Sequence, residues 1–409
     1  MVRKANLILK ALEDGTGILR LAPAWVPRDF LAPGRRLKLA PEDIYALGVQ
    51  RGGIDERWLA STVKANNPGA PEDEGLSYVV IGDSEKAEKI LLKEAISEFG
   101  ETILGKDVVR KYGGWTVLTK FFDNEGPIPF HLHQKEEHAK KVGQASKPEA
   151  YYFPVQLNMV EGRFPYTFFG LNPGTKKSDI KKCIEKWEQG DNGILGYSRA
   201  YRLEPGTGWL VQAGILHAPG TLVTYEVQKA SDIYAMYQSM VGDKRVSKDL
   251  LLSNVPPELR SDLDYIVDMI DWELNVDPKF KSHHHTKPFF TENPEETRKD
   301  GYTQKWIVYG TEEFSAKELT VLPNAKVKIR DEGAYGLVVV QGHGEIGKFE
   351  VEAPTMIRFG ELTSDELFVS VEAAKEGVWI VNKSKVENLV MLKHFGPGNP
   401  ATPKNLSNA

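Results

Sequence analysis

Two histidines stand two apart in the run P-I-P-F-H-L-H-Q over 127–134, His131 and His133. On a strand, successive side chains alternate faces, so this spacing turns both imidazoles to one side, where they can grip one ion. A carboxylate follows at Glu149, in Lys147-Pro148-Glu149, at the mouth of a predicted strand. Further on, the run G-T-G-W-L-V-Q-A-G-I-L-H over 206–217 reads as a turn, a strand, a second glycine turn and then His217. Three imidazole nitrogens and one carboxylate oxygen suit one divalent metal ion, Zn, Fe, Mn, Ni or Co, and the donor set does not choose among them. Without an ion, a barrel interior holding three imidazoles would carry buried polar groups in need of partners.

These residues must be positioned by short strands. Runs rich in Tyr, Phe, Val and Thr, bounded by Gly and Pro, predict strands at Trp115–Phe122, Tyr151–Val160, Tyr166–Leu171, Ala200–Leu203, Gly208–Val211 and Leu222–Val227. A helix capped by Ser178 interrupts them, with Ile180, Cys183, Ile184 and Trp187 on one face. Cys183, the one cysteine, reads as a small core residue and rules out a disulfide within the chain. Residues 1–75 are rich in proline and glycine, and a helix is predicted over Ser84–Phe99. Residues 245–300 are polar and irregular, with a helix near Pro257–Leu274. Short strands return from Lys305 onward, including Met356–Phe359 and Leu389–Leu392.

The predicted architecture is mainly β: two jelly-roll barrels with a few helices in the N-terminal and linking segments. Residues 1–110 form an N-terminal extension with a helix, packing on the first barrel. Residues 111–245 form the metal-binding barrel and 246–304 a helical or irregular linking segment. Residues 305–395 form a second, metal-free barrel, and 396–409 a mobile tail. The order H-x-H, then E, then G…G-x-x-H resembles the two signature motifs of the cupin superfamily.

The resemblance sharpens around these motifs. F-H-L-H-Q-K-E-E-H-A, K-P-E-A-Y-Y, F-F-G-L-N-P-G-T-K-K-S-D-I, L-E-P-G-T-G-W-L-V-Q-A-G-I-L-H-A and Y-E-V-Q-K-A-S-D-I-Y resemble pieces of the type I mannose-6-phosphate isomerase family in its short bacterial form. Upstream, Asp55–Ser61 (D-E-R-W-L-A-S) resembles an element near that family's N-terminus. The likeness covers most of residues 50–240. It implies a cupin fold, a bound metal, usually zinc, and interconversion of an aldose phosphate with a ketose phosphate. Two positions depart from the pattern. His131 stands where the family has Gln, and Ile233–Tyr237 lacks the family's arginine. Phosphate recognition would then fall to Lys135, Lys147 or Arg202.

Isomerisation moves a proton between adjacent carbons and needs a base; the candidates are Glu226, Lys147 and Lys135. Glu226, Gln228 and Asp232 recur at spacings that suit polar lining of the barrel. A cupin dioxygenase and a non-catalytic sugar-binding cupin are the alternative readings. His138 reads as structural, His283–His285 as a loop, and His343 as part of a turn that binds no metal. The formal net charge of −5, without a basic stripe, argues against nucleic acid as a partner. No apolar run approaches a membrane span. The expectation is a cytoplasmic enzyme of a small carbohydrate, with homo-oligomer formation open.

Overall fold

The computed structural model describes residues 2–82, 87–160 and 164–404. It is mainly β, and its strand pairs run antiparallel. Two sheets enclose the histidines. One has seven strands in the order His285–Thr286, Gly208–Val211, Glu149–Tyr152, Thr224–Lys229, Val117–Phe122, Gly53–Leu59 and Ala24–Arg28. The other has five: Ser198–Arg202, Tyr166–Leu171, His217–Ala218, His131–Leu132 and Ala235–Met236. An aromatic cluster draws on both, with the rings of Phe169 and Trp209 4.7 Å apart.

The seven-stranded sheet is buried on both faces. Every residue of Val117–Phe122 is buried. Val117 and Phe121 join a core shared with Ile307, Val338 and Leu392 of the C-terminal half. By strand alternation Leu118, Lys120 and Phe122 turn the other way: Lys120 and Phe122 line the site, and Leu118 packs with Val26 and Trp58. The same alternation sends Ala150, Tyr152, Tyr225 and Val227 into the shared core and leaves Glu149, Tyr151, Glu226 and Gln228 on the site side.

In the C-terminal half, a nine-stranded sheet and a four-stranded sheet share a core that includes Leu319, Leu337, Ile346, Ile380 and Met391. The nine-stranded sheet also takes in Ile18–Ala22, Tyr78–Ile81 and Glu88–Leu91. The N-terminal segment is therefore divided. Ala24–Arg28 and Gly53–Leu59 extend the site sheet, and the other three strands extend the C-terminal sheet. Arg57 ties the two halves together: it meets Asp365 at 2.7 and 2.8 Å and Glu366 at 3.0 Å, all buried.

Several predicted elements shift. The helix expected over Ser84–Phe99 spans Leu92–Leu104, because Glu88–Leu91 pairs as an edge strand with Tyr78–Ile81; residues 84–86 of that expectation lie outside the described residues. Strand pairing overrides the helical spacing there. A first helix, Val2–Asp14, buries Ile8 and Leu12, where sequence periods were few. The strand from Tyr151 stops at Tyr152, two residues before Pro154, and a 3-10 turn follows at Val155–Leu157. The helix near Pro257–Leu274 is three short pieces; Asp262 and Asp271 cap the second and third with side-chain hydrogen bonds. His283–His285 are not a loop: they end the helix Phe280–His284 and begin the strand His285–Thr286. Met356–Phe359 forms no strand beyond a bridge from Ile357 to Leu39. Much of the predicted tail packs, with Gly310 N–H donating to Pro403 O at 2.9 Å; residues 405–409 lie outside the described residues. The helix Lys177–Glu185 buries Ile180, Cys183 and Ile184, as their spacing predicts.

Candidate metal centre

His131 and His217 are directly paired across neighbouring strands, and His133 follows on the same side as His131. The ring centroids of His131 and His217 lie 4.2 Å apart, and His133 lies 5.1 Å from each. Gly214 shapes the turn that delivers His217. Its φ is +87°, a Cβ there would stand 2.9 Å from Asp271 Cβ, and its N–H donates to His133 O at 2.7 Å. Glu149 reaches in from the facing sheet, where it pairs with Val211 and Gln228.

Each imidazole is held by its far nitrogen. Nδ1 of His131 lies 2.7 Å from Pro129 O, that of His133 2.7 Å from Ile233 O, and that of His217 2.8 Å from Ile215 O. A carbonyl only accepts, so each Nδ1 carries the ring proton and each Nε2 keeps a lone pair. Lys147 agrees with this tautomer, its Nζ donating to His133 Nε2 at 3.2 Å. Glu149 Oε2 is 2.9 Å from His133 Nε2, and Oε1 is 3.0 Å from His217 Nε2. Electron pairs thus face electron pairs in a buried pocket. His217 Nε2 and Glu149 Oε2 have no hydrogen-bond partner among the described residues. The ligand atoms of the three histidines lie within 4.8 Å of one another. This donor set fits one divalent cation, which would relieve every one of these contacts.

The electrostatics agree. Burial pushes His131 well below its ordinary value, and burial with the Lys147 charge brings His133 to about 4, so both are neutral, as ligands must be. Burial raises the Glu149 carboxyl, but the Lys147 ammonium, 3.4 Å away, works to hold it below the usual range. Tyr151 Oη donates to Glu149 Oε1 and fixes the carboxylate.

A second charged row lies beside the first. Lys120 Nζ stands 3.3 Å from both Glu56 and Glu226. Arg28 Nε meets Glu56 at 3.2 Å, and Trp58 Nε1 donates to it at 2.7 Å. Burial raises Glu56, yet Arg28 and Lys120 outweigh it and hold the carboxyl at about 2. Glu226 differs: burial, then the Glu149 charge, push it up to about 7 against the pull of Lys120. An inner cavity of 50 Å³ touches Glu149, Glu226, Lys120 and the first two histidines. It adjoins an outer cavity of 340 Å³ that His131, His133 and Lys147 also line.

His131, His133, Glu149, His217, Lys147 and Glu226 therefore come together, and Asp232 lines the outer cavity. Lys135 does not join them: its Nζ lies 3.1 Å from Glu137 and 3.9 Å from Asp271, and it lines neither cavity. Arg202 is exposed at the end of its strand, away from both. His138 packs on Tyr265. Sequence reading missed Lys120, Arg28 and the role of Glu56. Lys120 left a signal, a lone charge in an apolar strand, which is buried only when paired.

Facing antiparallel sheets thus bring three histidines from one and a glutamate from the other to one candidate metal site. Among solved structures, the chain is similar to the mannose 6-phosphate isomerase of Bacillus subtilis, with a TM-score of 0.60 and 14% identity over 92% of this chain and 99% of that one. It is also similar to a variant of the phosphomannose isomerase from Salmonella typhimurium, with a TM-score of 0.59 and 12% identity over 93% of this chain and 100% of that one. A zinc-bound mannose 6-phosphate isomerase gives a TM-score of 0.59 and 12% identity over the same shares of the two chains. No family model matches the sequence, and no curated protein does. The fold is that of the mannose 6-phosphate isomerases of known structure.

Proposed function

We infer that this chain is a metal-dependent aldose–ketose isomerase acting on a sugar or sugar phosphate. His131, His133, His217 and Glu149 would hold one divalent ion, zinc foremost. The observation that carries the reading is the set of Nε2 lone pairs turned on one another and on Glu149, with every Nδ1 pinned to a carbonyl. A zinc-bound structure of the same fold supports the choice of metal. When bound, the ion polarises a carbonyl oxygen and stabilises negative charge on it.

The rest falls to side chains. Glu226 Oε1 is buried without a hydrogen-bond partner among the described residues, in a side chain that lines the inner cavity. A carboxyl poised near 7 can take a proton from one carbon and return it to the next. Lys120, shared between Glu56 and Glu226, holds that carboxyl in place. Lys147, 3.4 Å from Glu149, holds that carboxylate and lines both cavities. Lys135 takes no part in this scheme. The test is incubation with phosphorylated and free aldoses in deuterated water. Ketose product carrying solvent deuterium at C1 supports the reading; zinc-loaded protein that turns over no aldose overturns it.

A further inference from the structure

The outer cavity carries more positive charge than the protein around it. Six cationic side chains line it against three carboxylates, whereas the whole chain has a formal net charge of −5. Such a surplus in a cavity with a net acidic surround attracts an anion. The inner cavity is the reverse. Asp55, Asn124 and Glu226 line it, and each has a buried acceptor oxygen with no hydrogen-bond partner among the described residues, that of Glu226 being in an ion pair with Lys120. The two cavities therefore sort a ligand end to end, hydroxyl groups inward and an anion outward.

Three cations stand where the cavities join: Arg28, Lys120 and Lys147. Lys120 is bridged between Glu56 and Glu226, and Lys147 is committed to His133 and Glu149. Arg28 is different. Its Nε and Nη2 meet Glu56 at 3.2 and 3.3 Å, and its Nη1 donates to Asn67 Oδ1 at 2.7 Å. A guanidinium has five N–H groups, so two remain beyond these three bonds. The fork is prepositioned: Asn67 Nδ2 is held by Pro27 O at 3.0 Å and by Glu74 at 2.9 Å, which fixes its oxygen toward Arg28. The side chain is 16% exposed, enough to reach a ligand from an otherwise dry setting.

We propose that Arg28 binds an oxyanion of the ligand, a phosphate or a carboxylate, at the junction of the two cavities and thereby sets the substrate class. That this anion belongs to the isomerised sugar rests on the reading above; the binding itself does not. Arg28 then takes the role expected of Arg202 or Lys135, which line neither cavity. Two parallel N–H···O bonds to one anion are a strong and geometrically selective contact.

Calorimetric binding to the zinc-loaded full chain tests this with mannose 6-phosphate, glucuronate, inorganic phosphate and neutral mannose. Arg28→Met should weaken the anion that binds wild type by about tenfold to a hundredfold, the worth of one or two charge-assisted hydrogen bonds, and narrow its margin over mannose. Arg28→Lys, which keeps the charge and loses the fork, should fall between and serves if the Met variant does not fold. Arg202→Met removes an equal charge outside the cavities and should leave anion affinity alone. Preference for mannose 6-phosphate or for glucuronate identifies phosphate or carboxylate as the group. Wild type that binds no anion, or equal losses in Arg28→Met and Arg202→Met, would overturn the proposal. Anion binding that follows Arg28 without turnover of any aldose would defeat the isomerase reading and leave Arg28 standing. Turnover of mannose 6-phosphate with its KM unchanged in Arg28→Met would do the opposite.

Discussion

The proton on each Nδ1 decides what the three histidines can be. Pinned to Pro129, Ile233 and Ile215 carbonyls, they offer Nε2 lone pairs, and among the described residues Lys147 alone donates to one of them. The convergence of the three histidines was legible in the sequence, because histidines at i and i+2 on a strand and a glycine-led histidine carry their geometry in their spacing. The second charged row was not legible. Arg28, Glu56, Lys120 and Glu226 come from four strands far apart in the chain, and only the sheet's register sets them side by side. Glu226 sits in this row with a carboxyl near 7, which gives a sharp prediction. Glu226→Gln keeps the shape and removes the exchangeable proton, so kcat should fall by about 10²–10⁴ with metal content unchanged. Steady-state rates beside elemental analysis check it; a Gln variant with near-normal kcat would assign the proton transfer elsewhere.

At the scale of the element, the strands were easier to read than their ends. Gly208–Val211 and Tyr166–Leu171 stand where composition predicts them. Val117–Phe122 was visible as a strand, but not which face met the site, since a sheet buried on both sides shows a run of apolar residues in place of alternation. Glu88–Leu91 has spacing that fits a helix, and the neighbouring strand made it an edge strand. The turn before His217 rests on a local rule that any L-residue with a Cβ breaks. Gly214→Ala places a methyl against Asp271 at a positive φ, and should cost about 1–3 kcal/mol and weaken zinc binding through displacement of His217. Denaturant melts and a competitive zinc titration measure the two effects. Full stability with unaltered zinc affinity would show that the turn relaxes without moving the ligand.

Across the whole molecule, the C-terminal half is structural support for the site sheet. It fills one face of that sheet, and the link is polar as well as apolar: Tyr152 Oη donates to Glu318 at 2.7 Å, and Tyr225 Oη lies 2.9 Å from His394 Nδ1. Sequence could not show this, because each partner reads as an ordinary strand residue until both halves are assembled. Burial pushes His394 down to about 3. A folded value below the unfolded one of about 6.5 means that its contribution to stability is complete above 6.5 and is lost as pH falls toward 3. His394→Gln should therefore show a shallower acid loss, by up to about 1.4 kcal/mol per pH unit within that window. Parallel urea melts from pH 7 to 4 check this; identical slopes would mean that the ring stays solvated when folded. The central claim concerns the ion itself. Protein stripped by a chelator and titrated with zinc should bind one equivalent, with isomerase activity rising in proportion, and His217→Ala should do neither. Activity in the stripped protein, or a full equivalent of zinc on His217→Ala, would contradict the account.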